Sequence, residues 1–262
     1  MSNIINNILI EKCDYKYLQS YIYEYYINNG ITVDSFWEGH VRNSNFYKIT
    51  SDKELVGYFS IHKETILVLF NIFEKYRNIS QELFSIIRKY ESVKEALIPT
   101  GDEFFISHAF DNYTKIEKQA YFSIYTDKNP KKLIDIELHL AYVKKDIDTL
   151  NLCHDFLEHE INNINNLIDE EIYIVKHNNK VIGFGVIEYQ KIVDIYASIG
   201  MIVIEEFRQN GYGANILNGL KNIVKLKGKK AISGCWYYNH NSKKTMESAG
   251  AYSKTRLLRF YF

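Results

Sequence analysis

An arginine followed by two glycines is the local pattern that most directly suggests chemistry. Arg208 stands three positions before Gly211 and five before Gly213, and a long apolar stretch (residues 192–204) precedes them. Since an amphipathic stretch follows, we expect a buried strand, a tight turn and a helix. The unpaired N–H groups at that helix end carry about half a positive charge, and the arginine adds a full one. The pattern therefore predicts a site for a phosphate or pyrophosphate.

Each glycine near this turn has an expected role. Gly211 and Gly213 should let the backbone approach a ligand, where a β-carbon would clash or cost about 1–2 kcal/mol in a left-handed conformation. Gly200 interrupts the strand and predicts a bulge or a close backbone approach. Gly228 follows two lysines and should end the helix. The helix is expected to bury Ile216, Leu217, Leu220, Ile223 and Val224 and to expose Asn215, Asn218, Lys221, Asn222 and Lys225.

Two common phosphate-binding motifs are excluded by single residues. The dinucleotide fingerprint requires a third glycine three positions after Gly213, where this chain has Ile216. The P-loop requires Ser or Thr after Gly-Lys, but Gly228 and Lys229 are followed by Lys230. What remains is Arg-x-x-Gly-x-Gly between a strand and a helix. Such a turn is also compatible with a purely structural role.

A second pattern lies downstream. Residues 231–236 read as a short apolar strand, and Asn239 and Ser242 follow it, with Gly250 eight residues later. Asn and Ser are ordinary N-cap residues, so they predict a short helix. In this order and spacing the two patterns resemble the signatures of the GNAT superfamily of N-acetyltransferases. In that family the first loop holds the pyrophosphate of acyl-coenzyme A, and the short helix runs beneath the coenzyme.

This resemblance implies a fold, a reaction and a set of binding residues. The fold is α/β (α+β), with a mixed, mostly antiparallel twisted sheet and flanking helices. The reaction is direct transfer of an acetyl group from acetyl-coenzyme A, the co-substrate, to a primary amine of a small molecule in a ternary complex, without a metal. A backbone N–H near residues 201–203 would polarise the thioester carbonyl. The implied cofactor-binding residues are Met201, Ile202, Val203, Arg208, Gln209, Asn210, Gly211, Tyr212, Gly213, Ala214, Asn239 and Ser242.

The acid and the base are harder to assign. In this family the glutamate base of the histone-modifying branch would fall near Ala197 and a tyrosine acid near Met246, and neither residue can serve. An alkylammonium with a pKa of about 10.4 loses its proton at a cost of roughly 4–5 kcal/mol at neutral pH, so a base is useful. We take Tyr238, Glu205 and Tyr237 as catalytic candidates, although each has a structural alternative. Further local candidates are Asp194, Tyr196 and His240.

Composition argues against several other classes of protein. Among 262 residues, 32 Lys and Arg balance 32 Asp and Glu, which gives no general attraction to nucleic acid. No apolar run reaches the roughly 18 residues of a membrane span, and no signal sequence is expected at the N-terminus. The cysteines and histidines show no metal-ligand spacing. We expect a soluble, cytoplasmic protein that acts on a small-molecule amine, with no nucleic-acid or membrane partner, and we leave a homodimer open.

The two halves of the chain resemble each other. Residues 55–59 (LVGYF) match residues 181–185 (VIGFG) in placing a strand of a hairpin. Residues 73–77 (FEKYR) echo residues 204–208 (IEEFR), and similar elements follow each segment. We therefore expect two tandem copies of one GNAT-like domain.

The first copy is expected to be degenerate. It would span residues 1–127, and the acetyltransferase domain would span residues 128–262, with the polar segment 127–132 as the linker. The turn of the first copy lacks both glycines and contains Glu82, which would oppose a phosphate. This copy should therefore not bind coenzyme A.

The hydrophobic patterns also predict the secondary structure of each half. In the first half they predict a helix at 13–29, a hairpin at 46–49 and 55–61, a strand at 66–73, a helix at 80–90, a strand at 96–99, a helix at 103–110 and a strand at 116–126. In the second half they predict a strand at 133–143, a helix at 146–159, a second helix to about 167, a hairpin at 172–176 and 181–188, and a closing strand at 256–262. Only one strand then follows the last helix. Either one strand is dispensed with, or the first half completes the sheet.

Two functional hypotheses follow from the sequence. The first is a small-molecule N-acetyltransferase, and the length and segment 234–242 (GCWYYNHNS) resemble in particular the zwittermicin A resistance acetyltransferases. The second is an acetyl-coenzyme A-binding regulatory or interaction protein with a non-catalytic centre, which Ala197 and Met246 leave open. Turnover against a panel of amines separates the two hypotheses.

Overall fold

The chain forms two compact units in a computed structural model that describes residues 7–90, 93–157 and 170–262. The first unit consists of Met1–Ala120 together with Thr255–Phe262, and the second consists of Tyr121–Lys254. The last eight residues of the chain therefore belong with its first half. The division into domains at residue 127 stays a prediction.

The first unit is built on strands that pair mostly antiparallel. Its elements are β1 (Ile8–Cys13), α1 (Tyr15–Asn28), α2 (Ser35–Arg42), β2 (Ser44–Ser51), β3 (Glu54–His62), β4 (Ile66–Ile72), a 3-10 turn (Glu74–Ile79), α3 (Ser80–Tyr90), β5 (Glu95–Pro99), α4 (Glu103–Phe110) and β6 (Lys115–Tyr125), whose last five residues belong to the second unit. Consecutive strands from β1 to β4 pair antiparallel, whereas β4 and β5 pair parallel. The sequence patterns did not predict β1 or α2.

The second unit repeats this arrangement. Its elements are β7 (Glu137–Leu140), α5 (Val143–Leu150), a 3-10 turn (Asn151–Cys153), β8 (Glu170–His177), β9 (Lys180–Tyr189), β10 (Tyr196–Val203), a 3-10 turn (Glu205–Phe207), α6 (Tyr212–Leu226), β11 (Lys230–Trp236), α7 (His240–Ser248) and the start of β12 (Ala251–Tyr261). Strands β7 to β10 pair antiparallel in order, and β10 pairs parallel with β11. The strand expected at 133–143 is shorter, and the second helix expected to 167 lies outside the described residues.

Matching backbone contacts show that the two units are copies of one design. Gly57 faces Ile72 on the next strand, and Gly183 faces Val203 in the same way. A β-carbon on these glycines would lie 2.4 Å and 2.3 Å from a carbonyl oxygen of that strand, so neither position tolerates a side chain. Beyond each strand, the amide of Phe73 donates to Val56 at 2.9 Å and that of Ile204 to Ile182 at 3.0 Å. The predicted tandem duplication is confirmed.

The parallel strand pair of the second unit is short. Tyr196–Ser198 of β10 pair with residues 230–232 of β11, and the Ser233 hydroxyl then donates to the Ile199 carbonyl at 2.6 Å. The ladder ends there, although β10 continues to Val203 and β11 to Trp236. Past Ser198 the edge of β10 that faced β11 is therefore left with backbone groups that β11 does not pair.

Helix α6 buries two polar residues that we expected to be exposed. Asn215 is only 5% exposed and Lys221 only 7%. The Lys221 ammonium donates to the carbonyl oxygens of Thr126 at 3.3 Å and Lys128 at 2.9 Å. The Asn215 amide donates to the Lys132 carbonyl at 3.1 Å. The expected exposure of these two residues was wrong, because the polar segment after β6 packs along this face of the helix.

Within the described ranges, no helix combines the length and the apolar character that a membrane crossing requires.

Candidate active site

The turn between β10 and α6 is held in a fixed shape by its own residues. Gly211 is the N-cap of α6 and has a φ of 87°, and Gln209 has a φ of 64°. The Arg208 Nε donates to the Val203 carbonyl at 3.1 Å. The Asn210 amide donates to the carbonyls of Phe207 at 3.3 Å and Arg208 at 3.1 Å. Within the described structure no side chain caps α6, so its first N–H groups are available to an anion.

These N–H groups face a cavity of about 910 Å³ in the second unit, formed by the turn, the end of β10 and one face of α7. Its lining residues are Phe156, Met201, Ile202, Val203, Phe207, Arg208, Gln209, Gly211, Tyr212, Gly213, Ala214, Asn239, Asn241, Ser242, Lys244, Thr245 and Ser248. Arg208 and Lys244 are its cations, and none of the described lining residues is acidic. Two positive side chains and a helix N-terminus together suit a multiply charged phosphate group.

The sequence located most of this cavity. Eleven of the twelve predicted cofactor-binding residues line it, and Asn210 is the exception because its amide binds the turn itself. The patterns missed Phe156, Phe207, Asn241, Lys244, Thr245 and Ser248. Four of these six follow the i, i+3, i+4, i+7 spacing of one helix face, which was a usable signal. Phe156 carried no comparable signal.

The two glycines of the turn act for different physical reasons. Gly211 needs its left-handed φ of 87°, and a β-carbon there would meet only the Ile134 Cδ1 atom, at 3.5 Å. A β-carbon on Gly213 would instead lie 2.9 Å from the Thr245 Cγ2 atom and 3.1 Å from the Met201 Cε atom. Gly213 is therefore required by the packing of α6 against its neighbours, although we expected both glycines to make room for a ligand.

Gly200 does not form the bulge that the sequence predicted. Strand β10 keeps one continuous register with β9 from Ala197, opposite Tyr189, to Val203, opposite Gly183. A β-carbon at Gly200 would meet only a ring atom of Phe156, at 3.7 Å. The bulge is therefore absent, whereas the alternative, a close backbone approach, stays a prediction.

The second predicted signature caps α7. The Asn239 side-chain oxygen accepts a hydrogen bond from the Ser242 amide at 3.0 Å. Both residues also line the cavity, so capping and ligand contact are compatible. Thr245 lies one turn later on the same face and contacts the position of Gly213. The cap therefore fixes the helix that closes one side of the cavity.

The three catalytic candidates lie near the cavity, although none of them lines it in the described structure. Tyr237 and Tyr238 follow the last residue of β11, and the Tyr237 ring stacks on Tyr121 with centroids 4.6 Å apart. Glu205 begins the 3-10 turn before Arg208. The two residues that fall at the family's usual catalytic positions, Ala197 and Met246, lie in the apolar core.

The equivalent region of the first unit is filled by aromatic rings. Helix α4 begins after Asp102, which caps it as Asn239 caps α7. The Phe104 ring in its first turn stacks on Phe70, with centroids 5.5 Å apart, and contacts His108 at 4.5 Å. The position two residues after the cap is thus Phe104 in the first unit, whereas in the second it is Asn241, which lines the cavity.

No group of three or more His, Cys, Asp or Glu residues in the described part of the chain is placed to hold a metal ion.

Comparisons with known proteins agree with this geometry. A family model described as "Acetyltransferase (GNAT) domain" matches residues 14–126, and one described as "Acetyltransferase (GNAT) family" matches residues 137–251. A search of curated proteins finds no match.

Several solved structures share the fold over nearly the whole chain. A GNAT-family acetyltransferase from Colwellia psychrerythraea is 20% identical, with a TM-score of 0.82 and coverage of 97% of this chain and 99% of that one. A GCN5-related N-acetyltransferase from Sphaerobacter thermophilus is 10% identical, with a TM-score of 0.66 and coverage of 97% and 95%. A tandem GNAT protein from the clavulanic acid biosynthesis pathway is 10% identical, with a TM-score of 0.60 and coverage of 97% of both chains. With a family model matching each half, the chain belongs to the GNAT superfamily of acetyltransferases and has the tandem form of its fold.

Proposed function

We propose that the chain is an N-acetyltransferase that moves the acetyl group of acetyl-coenzyme A to a primary amine of a small molecule. The observation that carries this proposal is the uncapped N-terminus of α6, which opens into a cavity with two cations, beside the part of β10 that no longer pairs with β11. The second half of the chain supplies all of these features. The resemblance of segment 234–242 to zwittermicin A resistance acetyltransferases supports a small-molecule acceptor.

The described residues indicate how such a co-substrate would bind. The pyrophosphate would accept hydrogen bonds from the first amides of α6, with the Arg208 and Lys244 charges beside it. The amides of the pantetheine arm would extend along the edge of β10 that β11 leaves unpaired after Ser198, as an added strand does. A backbone N–H near residues 201–203 would then polarise the thioester carbonyl.

The reaction needs no group beyond the acyl donor and the amine. The neutral amine attacks the thioester carbonyl carbon, a C–N bond forms, the C–S bond breaks, and one N–H proton ends on the departing sulfur. When the amine starts as an ammonium ion, a further proton passes to a base or to water. Our candidates for these proton transfers are Tyr238, Tyr237 and Glu205. We favour Tyr238 as the acid for the thiolate because it lies two residues after the end of β11 and directly before Asn239, which lines the cavity.

Cofactor binding is tested by changing the turn. Gly211→Asp and Arg208→Glu place negative charge at the proposed pyrophosphate position, so each should weaken acetyl-coenzyme A binding by at least 100-fold in calorimetry. Gly228→Asp is the matched control, because Gly228 has a φ of 73° at the other end of α6 and no neighbour within 4 Å of an added β-carbon. Circular dichroism should show all three variants folded. Unchanged affinity in the two loop variants would overturn the assignment.

The same calorimetric titration also measures how many acetyl-coenzyme A molecules bind per chain. We expect one equivalent of acetyl-coenzyme A per chain, because packed phenylalanine rings fill the first unit where the second has its cavity. Two equivalents per chain would show that the degenerate copy also binds the cofactor.

A non-catalytic cofactor-binding protein is the alternative. It is favoured by Ala197 and Met246 at the usual catalytic positions and by the absence of our three candidates from the described cavity lining. Turnover of an amine panel decides between the two functions. If Tyr238 is the acid, Tyr238→Phe should lower kcat by about 10²–10⁴-fold with little change in KM. Tight acetyl-coenzyme A binding with no turnover of any amine would favour the alternative.

A further inference from the structure

Four aromatic rings form a continuous row beside the cavity. Trp236 meets Tyr238 with centroids 5.0 Å apart, and Tyr238 meets Tyr237 at 5.2 Å, both edge to face. Tyr237 then stacks on Tyr121 at 4.6 Å with nearly parallel planes. We call this row, Trp236–Tyr238–Tyr237–Tyr121, the aromatic ladder. All four residues belong to the second unit.

The aromatic ladder is buried at its Tyr121 end and exposed at its Trp236 end. Tyr121 is buried and Tyr237 half-buried, whereas Trp236 is 62% exposed and Tyr238 53% exposed. The stacked contact between Tyr121 and Tyr237 fixes the position of the exposed rings. Tyr238 directly precedes Asn239, which lines the cavity. Two large rings are therefore presented to solvent, already ordered, at the rim of the proposed active site.

Trp236, at the exposed end of the aromatic ladder, lies on the face of the sheet opposite α6. Cys235 packs into the core beneath α6, so its neighbours Gly234 and Trp236 point to the other face. Met201 packs into the same core, which places Gly200 on that other face as well. The Phe156 ring lies 3.7 Å from a β-carbon added to Gly200 and so covers that position, whereas Gly234 is exposed. A molecule lying against Trp236 can therefore cross the bare backbone at Gly234 toward β10.

The charges around the cavity limit how an acceptor can be recognised. The charged residues that line it are Arg208 and Lys244, and no carboxylate is among the described lining residues to form an ion pair with an ammonium group. The faces of Trp and Tyr rings attract ammonium ions and also stack with planar rings.

We propose that the aromatic ladder selects the acceptor, and that the acceptor is a primary amine carried by a planar aromatic ring. The ring of the acceptor stacks on Trp236 and Tyr238, and its amine extends over Gly234 toward the thioester. This inference rests on the proposed acetyltransferase function and names its substrate class.

The test compares flat and puckered amines of the same size. With saturating acetyl-coenzyme A, 2-phenylethylamine should have a kcat/KM at least tenfold above that of 2-cyclohexylethylamine. Trp236→Leu should lower kcat/KM for the aromatic amine at least tenfold and leave the cyclohexyl amine within threefold. Phe36→Leu is the matched control, because Phe36 is 56% exposed and lies in the first unit. Its removal should change neither rate.

Tryptophan fluorescence gives a readout that does not depend on turnover. The chain has two tryptophans, and Trp37 is fully buried, so solute quenching reports on Trp236. With coenzyme A present, 2-phenylethylamine should protect this fluorescence from acrylamide at least twofold more than the cyclohexyl amine does, and Trp236→Leu should abolish the difference.

The possible outcomes distinguish failure of the aromatic-acceptor proposal from failure of the proposed acetyltransferase function. Acetyl transfer that proceeds equally with flat and puckered amines, or that Trp236→Leu lowers equally for both, overturns the aromatic acceptor and leaves the acetyltransferase function standing. Failure of acetyl-coenzyme A to bind the unaltered protein overturns both. Selective protection of Trp236 without turnover supports the aromatic subsite and shows that the assignment of the catalytic residues is wrong.

Discussion

Gly228 and Gly250 are required at their positions for different physical reasons. Gly228 and Gly250 both have a left-handed φ, of 73° and 89°. No atom lies within 4 Å of a β-carbon added to Gly228, whereas one added to Gly250 would lie 2.4 Å from the Lys128 carbonyl oxygen. Gly228 therefore supplies only a helix stop. Gly250 also allows the segment after β6 to pass against the end of α7.

We expect alanine at these two positions to have unequal effects. Gly228→Ala should lower the free energy of unfolding by about 1–2 kcal/mol, the cost of a left-handed alanine. Gly250→Ala adds a backbone overlap of roughly 1–3 kcal/mol and should lower it by about 2–5 kcal/mol in total. Urea unfolding of both variants measures the difference. Equal midpoints would show that the backbone relaxes freely at Lys128.

At the level of elements, the two copies cap equivalent helices with different residues. In the first unit Asp102 accepts hydrogen bonds from the Phe105 amide at 3.1 Å and from the Tyr25 hydroxyl at 2.5 Å. In the second unit Asn239 caps α7 and is exposed. Burial raises the pKa of the Asp102 carboxyl to about 7, although its two hydrogen bonds oppose the shift. The cap of α4 is therefore sensitive to pH and that of α7 is not.

The raised pKa fixes the direction of the pH effect. Between the ordinary pKa of 3.8 and the folded pKa of about 7, the folded chain keeps a proton that the unfolded chain has lost. Stability from this residue is therefore highest below pH 4, falls as the pH rises to about 7, and then stays constant. Asp102→Asn, which keeps the cap, should be more stable than the natural chain by about 4 kcal/mol at pH 8 and nearly equal to it at pH 4. Urea titrations at the two pH values test this.

A reciprocal variant provides the control for this prediction. Asn239→Asp puts a carboxyl group at the exposed cap of α7, where solvent supports its charge. Its stability relative to the natural chain should stay nearly constant between pH 4 and pH 8. A constant difference for Asp102→Asn as well would show that the buried carboxyl does not titrate in this range.

The sequence predicted helices well where local apolar periodicity and the polar residues at their ends determined the structure. Helices α3 (Ser80–Tyr90) and α4 (Glu103–Phe110) begin and end where their patterns predicted, since their apolar periodicity and polar flanks agree. Strand β1 was missed because its residues are mostly half-buried or exposed and show no strong alternation. Helix α2 has only eight residues, although its N-cap Asp34 was a usable signal.

Other features depended on segments that are distant in sequence. Lys221 is buried because backbone carbonyls more than ninety residues earlier accept its hydrogen bonds, and helical periodicity assigns any lysine to the solvent side. The Arg-x-x-Gly-x-Gly turn located the cavity because its geometry is local. Phe156 reaches the cavity only through folding, so no spacing rule could find it.

At the level of the whole molecule, the end of the chain completes its beginning. Residues 257–261 of β12 pair antiparallel with β5, from Leu257 opposite Pro99 to Tyr261 opposite Glu95. Phe260 is fully buried in the core of the first unit and contacts Phe110 at 5.3 Å. The alternative in which the first half completes the sheet is confirmed, because β6, which the patterns assigned to the first half, lies beside β11 in the sheet. In exchange, the closing strand after the acetyltransferase signatures stabilises the first copy.

This exchange predicts that a mutation near the C-terminus destabilises the N-terminal half. Phe260→Ala removes a buried ring and should lower the stability of the first unit by about 3–5 kcal/mol. Amide hydrogen exchange should then accelerate in β2 to β5 and α4, while α6 keeps its protection. Tyr252→Ala is the control, because Tyr252 lies on the same strand but is half exposed and belongs to the second unit. Faster exchange confined to residues 170–254 in the Phe260 variant would contradict this assignment of the strand. Loss of protection in the first unit alone would show that the degenerate copy depends on the final strand for its own stability.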